Sequence, residues 1–158
     1  MGRHGSVGKR GLMLPKIVAV LGLVLLAALG ISSPVRAQAT DEISAAITEY
    51  SAMYNVPETL VHRVVKRESK YNPRAYHRGN WGLMQIKYAT ARTMGYRGPA
   101  KGLLDADTNL RYGVKYLAGA YLVAGGNEKK ALRYYTSGYY YIAKRKGLLV
   151  ETGLKSKR

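Results

Sequence analysis

The chain has 158 residues, no cysteine, and 26 Lys and Arg against nine Asp and Glu, a formal charge of +17. Without cysteine there is no disulfide framework, thiolate metal site, cysteine nucleophile or lipid-anchor cysteine, so the core must hold by packing alone. Such a charge favours polyanionic surroundings, whether nucleic acid, anionic lipid or a cell wall, and does not choose among them.

In chain order, the first element reads as an export signal. A basic segment ends at Lys16, an apolar run extends from Ile17 to Ile31, and Ser32-Ser33-Pro34-Val35-Arg36-Ala37-Gln38-Ala39 offers small residues for cleavage after Ala37 or Ala39. The run has 15 residues, short of the roughly 20 that a spanning helix needs. Residues 1–37 are therefore expected to be a signal peptide and 38–158 the working part, periplasmic or secreted. An uncleaved anchor is the alternative, and it too leaves that part outside the cytoplasm. Removing residues 1–37 takes five basic and no acidic residues, leaving a charge of +12. A body of about 120 residues can bury one core, and no linker or repeat divides it.

From Asp41 to Tyr54, Ile43, Ala46, Ile47, Tyr50 and Tyr54 recur at helical spacing. A second helix is expected to open at Glu58, after Pro57, and run to about Tyr71, where Asn72-Pro73 is a stop signal. Residues 74–80 read as a polar loop. A helix over Tyr88–Met94 should close at Gly95, and 98–102 reads as a second loop. Leu110, Val114, Leu117 and Tyr121 draw one apolar stripe on a helix that begins near Asp107 or Thr108 and stops at Gly125-Gly126. One or two further helices should cover Glu128 to Arg145. With no sustained alternation, the expected class is all-α, a single helical domain. Basic residues gather from about Lys144 onward, and a solvated face with a frayed end explains them.

Glu68 stands out on the second helix. At 100° per residue, Leu60, Val61, Val64 and Val65 cover an arc of about 140°, and Glu68 falls near its middle. His62, Arg63, Lys66, Arg67 and Ser69 project outside that arc. A carboxyl partly removed from water has its pKa raised and can donate a proton to a leaving-group oxygen, as glycosidic cleavage requires. Periodicity alone leaves another reading open, a structural Glu paired with an Arg or a Tyr hydroxyl. His62 and His77 have no clustered partners, so neither a metal site nor a serine-histidine-aspartate triad is expected, and no metal or cofactor is predicted. Trp81 is a candidate cleft wall, with core packing the competing reading.

Around Glu68 the sequence reads Glu68-Ser69-Lys70-Tyr71-Asn72-Pro73, followed by Gly82-Leu83-Met84-Gln85-Ile86 and Thr90-Ala91-Arg92. Leu104-Asp105 with Thr108–Leu117, and then Ala131-Leu132-Arg133-Tyr134-Tyr135-Thr136-Ser137-Gly138, complete four blocks in order. This resembles the lytic murein transglycosylases, which are similar in fold to goose-type lysozyme. The resemblance implies a lysozyme-like fold, Glu68 as catalytic acid and base, and Tyr135 as a residue that orients it. It also implies substrate contacts from Ser69, Met84, Gln85 and Tyr134. Two positions depart from the family pattern: Thr136 stands where Asn usually follows the Tyr, and Ala106 where the third block usually carries Pro.

The expected partner is the peptidoglycan glycan strand, bound by a monomer, with no nucleic-acid role and no stable membrane insertion once the signal is cleaved. A two-carboxylate hydrolase needs a second Asp or Glu, and no other acid has an inward-facing signature. A transglycosylase dispenses with one, because the muramyl 6-hydroxyl attacks the anomeric carbon and leaves a 1,6-anhydro end. The competing readings are a goose-type hydrolase, a non-catalytic peptidoglycan-binding module, and a basic nucleic-acid or membrane-binding protein.

Overall fold

Helix α1 (Pro34–Tyr54) buries Ile43, Ile47 and Tyr50 along one stripe, as their spacing requires. It begins earlier than the expected Asp41, and the expected cleavage positions Ala37 and Ala39 fall in its first turns. The computed structural model describes residues 1–2 and 34–156, so the expected signal peptide lies almost wholly outside the described residues. Contacts divide the chain between Ser33 and Pro34, and every element named here lies in the unit that begins at Pro34.

Helix α2 (Glu58–Ser69) buries Leu60, Val61, Val64 and Val65 completely, each contributing about 1.5–3 kcal/mol through removal from water. It ends two residues before the Tyr71 expected from the Asn72-Pro73 signal. Lys70 and Tyr71 both adopt left-handed conformations (φ 52° and 64°), and the Lys70 amide closes the last turn on the Lys66 carbonyl at 3.2 Å.

The domain is mostly helical, as expected, and the next segment adds a small sheet that the expectation did not include. Three two-residue strands, β1 (Tyr76–His77), β2 (Asn80–Trp81) and β3 (Ile86–Lys87), form an antiparallel sheet in sequence order, with Asn80 opposite both His77 and Lys87. Strands this short carry no readable alternation, which is why the periodicity missed them. Helix α3 (Tyr88–Thr93) follows, then a 3-10 helix (Ala100–Leu104) where a loop was expected.

Helix α4 (Ala106–Val123) is the central element, packed against α1, α3 and the 3-10 helix. It starts earlier than Asp107 or Thr108 because the Asp105 side chain accepts the Thr108 amide at 2.8 Å. Helices α5 (Glu128–Ser137) and α6 (Tyr140–Arg145) cover the expected stretch, and α5 packs on α4 and α2. The expected frayed end is also corrected. Leu148, Leu149 and Leu154 pack against the main core, Thr152 is buried, and the Lys146 ammonium donates to the Val123 carbonyl at 3.0 Å. No described helix is long and apolar enough to cross a membrane.

Candidate active site

Glu68 sits in the last turn of α2, one turn beyond Val64 and Val65, where the apolar stripe leaves the core. Its side chain is 21 % exposed, and its nearest cation is Arg67 on the same helix, with Nε 3.7 Å from Oε1. Loss of water around the carboxyl raises its pKa above the usual carboxylate value, and Arg67 pulls against that shift without cancelling it. A carboxyl so placed retains its proton to a higher pH than an exposed one and stays accessible enough to pass it on.

Glu68 opens into a groove of about 330 Å³ lined also by Asn80, Gln85, Ile86, Lys87, Thr90, Tyr116, Tyr135, Thr136, Ser137 and Gly138. These residues come from α2, the sheet, α3, α4 and α5, so the groove exists only in the folded chain. Glu68 is the one carboxylate among them.

The hairpin side of the groove is held from beneath. Asn109, fully buried on α4, accepts the Met84 amide on Oδ1 at 2.8 Å. Its Nδ2 donates to the Trp81 carbonyl at 2.8 Å and the Leu103 carbonyl at 2.7 Å. Gly82 is required beside it: with φ +66° it is left-handed, and a Cβ there would run into the Asn109 side chain and the Leu103 carbonyl. On α4, a Cβ at Gly113 would meet the Met84 sulfur, so that glycine lets the helix approach the segment. Gln85 takes φ +47°, an uncommon conformation for a residue with a side chain, and its amide donates to the Ala75 and Gly82 carbonyls, each at 3.0 Å. The Gly82 amide also donates to Ala75 at 2.8 Å, so the chain leaving α2 and the hairpin are tied together.

Tyr135 is buried, with its ring tilted on Tyr116 at 5.4 Å. Burial, with the neighbouring Glu68 charge adding to it, pushes the phenol far above its ordinary pKa. The hydroxyl donates to the Met84 carbonyl at 2.8 Å, not to Glu68. Its single proton is therefore committed to the backbone of the hairpin, while the phenol stays close enough to feel the acid.

Of the seven candidate residues from the sequence, Glu68, Gln85 and Tyr135 meet in the groove. Met84 is fully buried, so its side chain has no surface to offer a ligand. The Ser69 hydroxyl bonds back to the Val65 carbonyl at 3.1 Å, and Ser69 does not line the groove. Trp81 lies tilted against Tyr76, with ring centres 4.4 Å apart, and packs against the smaller apolar cluster around Ile86 and Leu103. Tyr134 packs on the main core, with the Arg133 guanidinium 5.7 Å from its ring centre. Thr136 does line the groove, but its hydroxyl is turned back onto the Leu132 and Arg133 carbonyls at 3.3 and 3.0 Å. Asn80, Lys87, Thr90, Tyr116 and Ser137 are lining residues that the sequence reading missed. A signal existed for Lys87, since polar Gln85 and Lys87 alternate with buried Met84 and Ile86.

A mostly helical domain that opens one partly dry carboxyl into a groove fits the lysozyme-like class implied by the four blocks. The chain matches the Transglycosylase SLT domain family over residues 45–149, about two thirds of its length, and belongs to that family. It is thus a member of the lytic transglycosylases, a family that acts on peptidoglycan. No solved structure matches the chain.

Proposed function

We propose that the protein is an exported peptidoglycan lytic transglycosylase that cleaves the β-1,4 bond between N-acetylmuramic acid and N-acetylglucosamine. Glu68 protonates the linking oxygen as the bond breaks. The resulting carboxylate then takes the proton from the muramyl 6-hydroxyl, which closes on the anomeric carbon to give a 1,6-anhydro end. One group serves as acid and then base, which is efficient when its pKa lies near the working pH. Tyr135 supports the step by fixing the Met84 carbonyl, and with it the hairpin that faces the acid. Gln85 is the proposed substrate contact on that hairpin. Export rests on the basic, apolar and small-residue order of residues 1–39.

The observation that carries this reading is the single carboxylate in the groove. Hydrolysis by a carboxyl pair places the second group about 5–9.5 Å from the first, across the bond to be cut. The lining offers none, whereas an internal hydroxyl nucleophile needs none. Mass spectrometry of purified wall digested with residues 38–158 tests the point. Anhydromuramyl ends are expected. Reducing ends would identify a hydrolase, and binding without soluble fragments would identify a non-catalytic module.

A further inference from the structure

Lys87 ends β3 on the face opposite buried Ile86, with Asn80 of β2 as its register partner. Both residues line the groove with Glu68, and Lys87 is the one cation among the lining residues. Its ammonium makes no hydrogen bond or ion pair with any described residue. Among the described residues the ion pairs are Arg63 with Glu128 and Arg67 with Glu68, and His62 lies beside Glu58. Arg67, not Lys87, is the cation that acts on the Glu68 carboxyl. The groove thus holds an unpartnered positive charge that is not spent on the acid.

A strand of neutral sugars gives such a charge nothing to pair with. Peptidoglycan does, at one place along its backbone: the lactyl arm of the muramyl unit. In a peptide-free strand that arm ends in a carboxylate. In a substituted strand it is an amide, and the nearest carboxylates belong to the stem peptide. Resting on the reading of this groove as a peptidoglycan site, we propose that Lys87 is a specificity-determining residue that pairs with a carboxylate carried on the lactyl arm. A lysine suits this task as a compact point charge on a flexible stem, able to reach an anion whose position varies with the sugar's seat. The pairing would also fix which sugar of the alternating strand lies beside Lys87, and so the register in which the strand meets Glu68.

The test is calorimetric titration of residues 38–158 carrying Glu68→Gln, which prevents turnover, with and without Lys87→Gln or Lys87→Arg. Three ligands are compared: a peptide-free glucosaminyl-muramyl tetrasaccharide, the same sugar with its lactyl carboxyls converted to methylamides, and a stem-peptide-bearing tetrasaccharide. Lys87→Gln should weaken binding of a carboxylate-bearing ligand about fivefold, the order of a part-exposed ion pair. It should leave the methylamide unchanged, and Lys87→Arg should restore most of the loss. Weakening confined to the peptide-free sugar assigns the lactyl carboxylate, and weakening confined to the substituted one assigns the stem. Equal effects on all three ligands, or none, overturn the proposal while leaving the parent reading intact. Failure of the Glu68→Gln protein to bind any of the three overturns both.

Discussion

Helix α2 and the segment from Ala75 to Lys87 both contribute to the groove, and they are built by opposite means. In α2 everything is local. Four apolar residues at helical spacing fix which face goes inward, and Glu68 follows from that face by rotation alone. The hairpin segment has strands too short to stand by themselves, four left-handed positions at Arg78, Gly79, Gly82 and Gln85, and anchors borrowed from far along the chain. Asn109 reaches it from α4 and Tyr135 from α5. The acid is placed by its own helix, and the surface around it by distant ones. Damage to the two regions should therefore look different.

The largest effect is expected at Asn109→Ala. It removes three hydrogen bonds to buried or partly buried backbone groups at once, and a single unsatisfied buried group costs about 1–3 kcal/mol. A loss of about 3 kcal/mol or more in urea unfolding is expected, with wall lysis falling further than the folded fraction does. Val64→Ala strikes the other region. Truncating this fully buried side chain should cost about 2 kcal/mol, yet lysis per folded molecule should hold, because the helix still aims Glu68. Equal loss of specific activity in both variants would erase the contrast between the regions. Tyr135→Phe strands the Met84 carbonyl at a cost of about 1–2 kcal/mol, and its specific activity should drop because the hairpin loosens.

The smallest effect concerns stability and pH. Burial raises the Glu68 pKa above its ordinary 4.5, so the folded state holds the proton more tightly than the unfolded state. The stabilisation from protonating this group is fully present below the ordinary value and is lost as pH rises through the raised one. Neutral Glu68→Gln should thus melt slightly above the natural protein near pH 7, with the advantage vanishing below about pH 4.5. Thermal melts across that range check the sign.

How much of this was legible in the sequence follows the same division. The helices were readable because a 3.6-residue period repeats within one segment, and Glu68 was readable as the exception to that period. The sheet was not, since two residues show no alternation. The end of α2 was misplaced because Lys70 and Tyr71 turn left-handed before Asn72-Pro73 is reached, and neither is a residue that announces such a turn. Ser69, Met84 and Tyr134 were named from blocks that run through the site, but a block does not say which of its side chains face outward, and Trp81 was named for its aromatic ring, which suits packing equally well. Met84 serves through its backbone amide and carbonyl while its side chain fills the core. Lys87 could have been read from its alternation with Ile86, but Asn80 became visible only when β2 and β3 paired.

The central claim is that Glu68 alone carries the proton transfers in this groove. Wall turbidity clearance by residues 38–158 with Glu68→Gln, beside matched circular dichroism and melting curves, tests it most directly. The account predicts a folded variant whose lysis is reduced on the order of 10²–10⁴-fold, the contribution of a general acid–base group. A folded variant that clears wall at the natural rate would contradict it.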